Sequence, residues 1–265
     1  MKYNFDPKEL RTYHKENSCI FKKNNEMYGG LSNMATGFPL CVNGVKIRTT
    51  EALYQACRFP HLPDMQLKII EQKSPMLVKM ISNSNKSKSR NDWEIIRIKI
   101  MKWCLNVKLA QNFIQFGTTL SETGLNEIVE NSAKDNFWGA IPNKEETVFT
   151  GINALGRLIM DLRKSFYSSD RYSLLYIEPP QIENFHLYGN SIEVIDERLN
   201  FIKSLQNFWN LNFEKELKLH SNLGEIITEN RIDITETEQI QKPKAKISKP
   251  KKSKTSSTIE QPKLF

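Results

Sequence analysis

The sequence predicts a mainly α-helical domain of the α+β class with a few short strands. Three observations carry that reading. Trp93, Ile96, Ile100, Cys104 and Val107 fall on one stripe at helical spacing within residues 90–111. Ile152, Leu155, Ile159, Leu162 and Phe166 do the same within residues 151–166. Asn43-Gly44 sits between alternating apolar residues in FPLCVNGVKIRT, the pattern of a tight β-hairpin.

The elements follow in chain order. Residues 1–18 are polar and read as a loose lead-in. After the hairpin, Thr49 or Thr50 caps a helix running through EALYQACRF. The long helix of 90–111 comes next. A further helix closes over Thr118 to Gly124, with Gly124 as its C-terminal stop. LNEIVEN is predicted as a short strand, and the helix of 151–166 ends a compact domain of residues 19–167. Residues 168–236 hold apolar stretches such as SLLYIEPP and LNFIKSLQNFWNLNF, and are expected to form a folded extension with its own organisation. Residues 237–259 turn to Lys, Pro, Ser and Thr. Too few apolar groups remain there to offset the entropy of ordering, so a disordered linker is expected. Residues 260–265 close that linker on two apolar side chains. No internal repeat is present.

Composition narrows the function classes. Hydrophobic residues make up 39% and charged residues 26%, which suits a soluble folded protein. No apolar run approaches the roughly 18 residues of a bilayer span, so no membrane partner is expected. The N-terminus MKYNFDPKELRTYHKENS lacks the apolar core of a signal peptide. Cysteines 19, 41, 57 and 104 form no C-x-x-C pair, and the four histidines are equally scattered. A zinc site or disulfide framework is therefore not expected, and a reducing cytoplasm fits. The net charge of +8 is local. KPKAKISKPKKSK at 242–254 holds seven lysines and no acid, leaving the rest of the chain near neutral.

Four clusters carry more polar and aromatic detail than packing demands. In Tyr28-Gly29-Gly30-Leu31-Ser32-Asn33, two glycines let backbone N–H groups approach a phosphate or ribose; a plain tight turn is the ordinary alternative. In TTEALYQACRF, Glu51, Gln55 and Arg58 share one helix face, which is either a pocket wall or a solvated charged face. Lys86-Ser87-Lys88-Ser89-Arg90-Asn91-Asp92-Trp93 is a basic loop feeding the long helix, suited to phosphate or simply to solvent, with Trp93 on the apolar stripe. Asn131-Ser132-Ala133-Lys134-Asp135-Asn136-Phe137-Trp138-Gly139 places an acid, an aromatic and a glycine after a strand; an Asx-type turn is the ordinary reading.

In order and spacing the chain resembles the NADAR (YbiA-like) family over roughly residues 19–167. The resemblance rests on seven collinear blocks: YGGLSN, TTEALYQACRF, SPMLVKM, SRNDWEIIRIKIM, KLAQN, LNEIVENSAKDNFWG and GINALGRLIMDLR. It implies a small, mainly helical domain that cleaves N-glycosidic bonds to ribose without a cofactor. Family activities divide in two. Some members act on ribosylated intermediates of the riboflavin pathway. Others remove ADP-ribose from guanine in nucleic acid, DNA or RNA, including antitoxins that oppose DarT-type transferases.

The resemblance places Glu51 at the family's helix glutamate, and Asp135 and Trp138 on its acidic-aromatic W-G motif, with Gly139 completing it. Trp93 and Lys108 match the tryptophan and lysine of the long helix, and Ser32 and Asn33 the S-N pair. There are departures: Arg58 stands where the family usually has Lys, Ala52 where it often has His, SNSN at 82–85 replaces a Gly-Arg-containing stretch, and Ala-Ile follows the W-G motif.

N-glycoside cleavage passes through a cationic ribosyl centre, which needs a carboxylate beside it and a donor for the leaving nitrogen. Glu51 is the expected partner of that centre, and Asp135 the group that orients ribose or water; the reverse assignment stays open. Trp138 would stack on a base, and Arg58, Lys88 and Lys108 would hold the pyrophosphate. Lys108 is also the candidate for a Schiff-base route. Tyr28, Gly30 and Gln55 complete the expected substrate-binding set. A non-catalytic ADP-ribose-binding module is the rival reading.

The lysine tail favours DNA over a free metabolite, because such a leash binds phosphate backbone; a solubilising tail is the alternative. Gln261, Leu264 and Phe265 resemble the bacterial sliding-clamp peptide Q-x-x-L-F. That implies a clamp as partner, with Leu264 and Phe265 in an apolar pocket and Gln261 at its rim.

Overall fold

A computed structural model of the chain describes residues 9–207. The lysine linker expected at 237–259 and the peptide Gln261, Leu264, Phe265 lie outside the described residues.

Strand β1 (Arg11–His14) and strand β2 (Ser18–Phe21) open the fold, where a loose lead-in was expected. The reason is Tyr13, which is wholly buried and anchors β1 in a small cluster with Val129, Ala140 and Phe149. Strands β3 (Leu40–Val42) and β4 (Val45–Ile47) form the predicted hairpin. Asn43 and Gly44 have φ of 49° and 74°, the two left-handed residues that match hairpin twist.

Helix α1 (Thr50–Ala56) is capped by Thr49, whose Oγ1 accepts from Ala52 N at 3.3 Å. It ends three residues before Phe59; Arg58 and Phe59 continue as turns onto Gln55 O and Ala56 O. Helices α2 (Pro63–Ile70) and α3 (Pro75–Ser84) escaped the sequence reading. Each starts on a proline, which is pre-set for the first helical turn. Helix α4 (Trp93–Gln111) is the central element. Trp93, Ile100, Cys104 and Val107 of the predicted stripe are buried, but so are Met101, Trp103, Leu105, Leu109 and Ala110. A helix covered on most sides must be surrounded. Here α1, α5, α6 and the last strands surround it.

Helix α5 (Phe113–Glu122) stops before Gly124, which sits at φ +54° as expected of a C-terminal stop. Strand β5 (Glu127–Glu130) pairs in parallel with β2, Ser18 opposite Glu127 and Phe21 opposite Glu130. Strands β6 (Ile141–Pro142) and β7 (Val148–Gly151) join β1 in a three-stranded antiparallel sheet in the order β1-β7-β6. Helix α6 (Ala154–Phe166) begins later than predicted, because Gly151 still belongs to β7. Asn153 ties its start to β5, donating to Ile128 O at 2.8 Å and accepting from Glu130 N at 3.1 Å.

The hydrophobic core continues past residue 167, where the compact domain was expected to end. Strands β8 (Tyr176–Ile177), β9 (His186–Leu187), β10 (Asn190–Ser191) and β11 (Ile195–Asp196) lay Ile177, Phe185, Leu187, Ile192 and Ile195 into the same core as α4. Phe185 packs edge-on against Trp103 at 5.0 Å between ring centroids. Gln66, fully buried, donates to His186 O at 2.9 Å and accepts from Tyr188 N at 2.7 Å, fastening the strap to α2.

Candidate active site

A cavity of about 280 Å³ opens where α1, α3, α4 and the turn after β5 meet. Helix α1 is buried along its whole length, so the face carrying Glu51 and Gln55, with Arg58 just beyond, is no solvated surface: it is a cavity wall. Gln55 Nε2 donates to Glu51 Oε1 at 2.9 Å. The Ser82 hydroxyl donates to Gln55 Oε1 and accepts from Arg58 Nη1 at 3.4 Å. Arg58 Nε donates to Ser89 Oγ at 2.6 Å. One hydrogen-bonded chain thus runs from the glutamate to the guanidinium. Burial pushes the Glu51 carboxyl above its ordinary pKa, against the Gln55 hydrogen bond and the nearby Lys79. Burial likewise lowers the pKa of Arg58.

The aromatic wall is built on Tyr54. Its ring lies 5.0 Å from Trp93 and 5.7 Å, edge-on, from Trp138. Arg58 stands over Trp93 at 5.3 Å, and Arg97 over Phe137 at 3.9 Å. Asp135 Oδ1 accepts from Phe137 N at 3.0 Å and Trp138 N at 2.9 Å, so the expected Asx-type turn forms and presents Trp138 to the cavity. Ser32 and Asn33 also line the cavity, and Asn33 O fixes the start of α1 by accepting from Glu51 N at 2.9 Å.

Eight expected residues therefore meet at one cavity: Ser32, Asn33, Glu51, Gln55, Arg58, Trp93, Asp135 and Trp138. Tyr28, Gly30, Lys88, Lys108 and Gly139 do not line it. The helical turn of 86–88 presents Lys86 to the cavity instead of Lys88. Lys108 is fully buried, and its Nζ donates to Gly30 O at 2.6 Å and Ser32 O at 3.1 Å. It lies over the rings of Phe116 and Phe38 at 4.2 and 4.6 Å, and burial lowers its pKa to about 7. Its amine is engaged in holding the Gly-Gly turn. Tyr28 packs against the core ahead of that turn, and Gly30 sits between Phe38 and Thr119. Gly139 is a packing residue: a Cβ there would come within 2.5 Å of Glu130 O.

Four charged lining residues escaped the sequence reading: Lys79, Glu94, Arg97 and Glu130. Arg97 was legible in principle, one turn after Trp93 on the same helix. Glu130 ends β5 just ahead of the Asp135 turn. The cavity leaves part of it accessible, yet the protein packed around it still desolvates its carboxyl. Burial, with Glu51 and Asp135 adding to it and Lys79 opposing, raises its pKa to about 7. Among the described residues, no group of three or more His, Cys, Asp or Glu is arranged to hold a metal ion. No described helix is long and apolar enough to cross a membrane.

These features define a helical α+β domain built around a cavity lined by acids, bases and aromatic rings. The NADAR domain model matches residues 20–167, more than half of the chain, and the chain belongs to that family. It is 28% identical over 188 residues to a riboflavin biosynthesis protein of Vibrio vulnificus, covering 68% of this chain and 48% of that one. The chain thus spans about half the length of that relative. It is 30% identical over 145 residues to the N-glycosidase YbiA of Shigella boydii, covering 54% of this chain and 85% of the relative. The NMR structure of Escherichia coli YbiA is similar at a TM-score of 0.48 and 27% identity, over 57% of this chain and 84% of that one.

Proposed function

We propose that this chain is an N-glycosidase that cleaves the bond between ribose C1′ and a base nitrogen, and that its substrate is ADP-ribosylated guanine in nucleic acid. The observation that supports this best is the mixed lining of one cavity. The carboxyl groups of Glu51, Glu94, Glu130 and Asp135 share it with Arg58, Lys79, Lys86 and Arg97 and with the rings of Tyr54, Trp93 and Trp138. A ribosyl cation needs a carboxylate, a pyrophosphate needs cations, and a base needs a flat apolar face. Glu51 is the group set to stabilise the cationic centre. Its hydrogen bond from Gln55 leaves the carboxylate oriented before substrate arrives.

Nucleic acid is the favoured carrier because the seven lysines of 242–254 suit a phosphate backbone. In that role the protein removes the mark of a DarT-type transferase and acts as its antitoxin. A second reading, cleavage of ribosylated riboflavin-pathway intermediates, is favoured by the name of the Vibrio vulnificus relative and by that of an Arabidopsis thaliana relative, a chloroplastic riboflavin biosynthesis protein. The deciding experiment incubates the full chain with an oligonucleotide bearing ADP-ribosylated guanine and, separately, with those intermediates. Free ADP-ribose from the oligonucleotide is the expected product. Cleavage of the intermediates alone would install the second reading, and binding without release would make the chain a non-catalytic module.

A further inference from the structure

We propose that Glu130 is the acid that delivers a proton to the departing base nitrogen; this rests on the glycosidase reading above. Four carboxyls line the cavity, and their partners separate them. Glu94 pairs with Arg97 Nε at 3.1 Å and is largely exposed to solvent. Glu51 accepts from Gln55. Asp135 spends Oδ1 on two backbone N–H groups and holds the Trp138 turn. The Glu130 side chain has no hydrogen-bond partner among the described residues, although it borders the cavity and is desolvated by the protein around it. A carboxyl left without donors in such a place is best accommodated as the neutral acid, the form that can give a proton.

The surroundings support that state. Glu51 from α1 and Asp135 from the following turn oppose a charge on Glu130, and Lys79 from α3 favours it. On the elements packed against β5, Asp161 and Lys164 of α6 border a separate hollow, and the other ionisable groups are turned to other partners. Cys19 of β2 donates to Thr123 O, Arg157 of α6 pairs with Glu9, and Arg163 of α6 donates to Thr123 and Asn126. The C1′–N bond breaks, its electron pair stays on the nitrogen, and the Glu130 proton goes to that nitrogen. Water bonds C1′ and gives its proton to Glu51, which passes it to solvent, while Glu130 takes a proton back from solvent.

The test compares two leaving groups on the full chain. Guanine in DNA leaves as a strong base and needs the proton. ADP-ribose joined at C1′ to 4-nitrophenol releases a weakly basic anion that does not. Glu130→Gln should lower kcat on the guanine substrate by about a hundredfold or more. It should lower kcat far less on the nitrophenyl compound, whereas Glu51→Gln loses both. Wild-type kcat on guanine should fall as pH rises through neutrality, and Glu130→Gln should abolish that limb. Glu130→Asp should keep the limb at a reduced rate. Thermal melts establish that each variant is folded. Equal losses on both substrates, or a pH limb that persists in Glu130→Gln, would overturn the assignment of Glu130 while leaving the glycosidase reading intact. Wild-type protein that cleaves neither compound overturns that reading and this inference with it.

Discussion

Gln55 Nε2 donates to Glu51 Oε1 at 2.9 Å from one turn further along the same helix. A carboxylate oxygen only accepts, so Gln55 turns its amide N–H toward Glu51 and leaves its oxygen to the Ser82 hydroxyl. Burial raises the Glu51 pKa, and this hydrogen bond holds it back. Gln55→Ala should therefore move the Glu51 pKa further up. If ionised Glu51 serves the ribosyl centre, the acidic limb of kcat/KM shifts to higher pH and activity at low pH drops. Glu51→Gln should lose about a hundredfold or more at every pH, since it keeps the volume and removes the charge. A pH profile unmoved by Gln55→Ala would show that Glu51 ionisation does not govern the reaction.

Lys108 gives a prediction about stability. Its Nζ serves Gly30 O and Ser32 O, and Ser32 O also accepts from Ala35 N. Lys108→Met strips Gly30 O of its partner and should cost about 1–3 kcal/mol. The pH dependence has a definite sign. The unfolded lysine keeps its proton to about 10.5, while the folded one releases it near 7. Between those values the unfolded state binds more protons, so this residue makes stability rise with pH. Denaturant melts from pH 7 to 9 should show the wild type gaining relative to Lys108→Met. A constant difference between the two would refute a depressed lysine.

Gly139 is predicted to matter through packing. A Cβ there would meet Glu130 O at 2.5 Å and the Ser132 side chain at 3.1 Å. Backbone must give way, so Gly139→Ala should destabilise by about 1–3 kcal/mol. The displaced strand end carries Glu130 and the adjoining turn carries Trp138, so kcat should fall as well. A variant with wild-type melting temperature and activity would show that the turn yields freely.

Much of this architecture was legible because the signals are local. Asn43-Gly44, Thr49 and Gly124 each act through one turn or cap, and each stands where the sequence put it. The stripe on α4 was visible, but its burial on the remaining sides depends on strands β8 to β11, which arrive some 70 residues later. That is also why residue 167 looked like a boundary. Strand β1 was missed because one buried Tyr13 outweighs the polar residues around it. Within the cavity, Glu51 and Gln55 could be read from helical spacing. Lys79 and Glu130 could not, since α3 and the end of β5 reach the site only through the tertiary fold. Lys108 looked catalytic for a related reason: a lone lysine on a buried helix face does not reveal whether it meets a ligand or two carbonyls.

The lysines of 242–254 and the Gln261, Leu264, Phe265 motif lie outside the described residues, and their predictions rest on sequence. Removing residues 240–265 should leave cleavage of a short ADP-ribosylated oligonucleotide nearly intact, because the cavity lies wholly within the described residues. Binding to long duplex DNA should weaken, and its dependence on salt should become shallower, since lysine–phosphate contacts release counterions. A peptide of residues 255–265 should bind a bacterial sliding clamp, and Leu264→Ala with Phe265→Ala should abolish that binding. Burying one Leu and one Phe is worth roughly 1.5–3 kcal/mol each before ordering costs, which sets a weak, micromolar-range affinity for so short a contact. In the full chain the lysines would touch DNA beside the clamp, so affinity for clamp-loaded DNA should exceed that for either component. Titrating the full chain, the double variant and the truncated chain against clamp-loaded and free DNA separates the two contributions. Equal affinity of all three for clamp-loaded DNA would leave the tail without a recruiting role, and would remove the main support for nucleic acid over riboflavin-pathway intermediates.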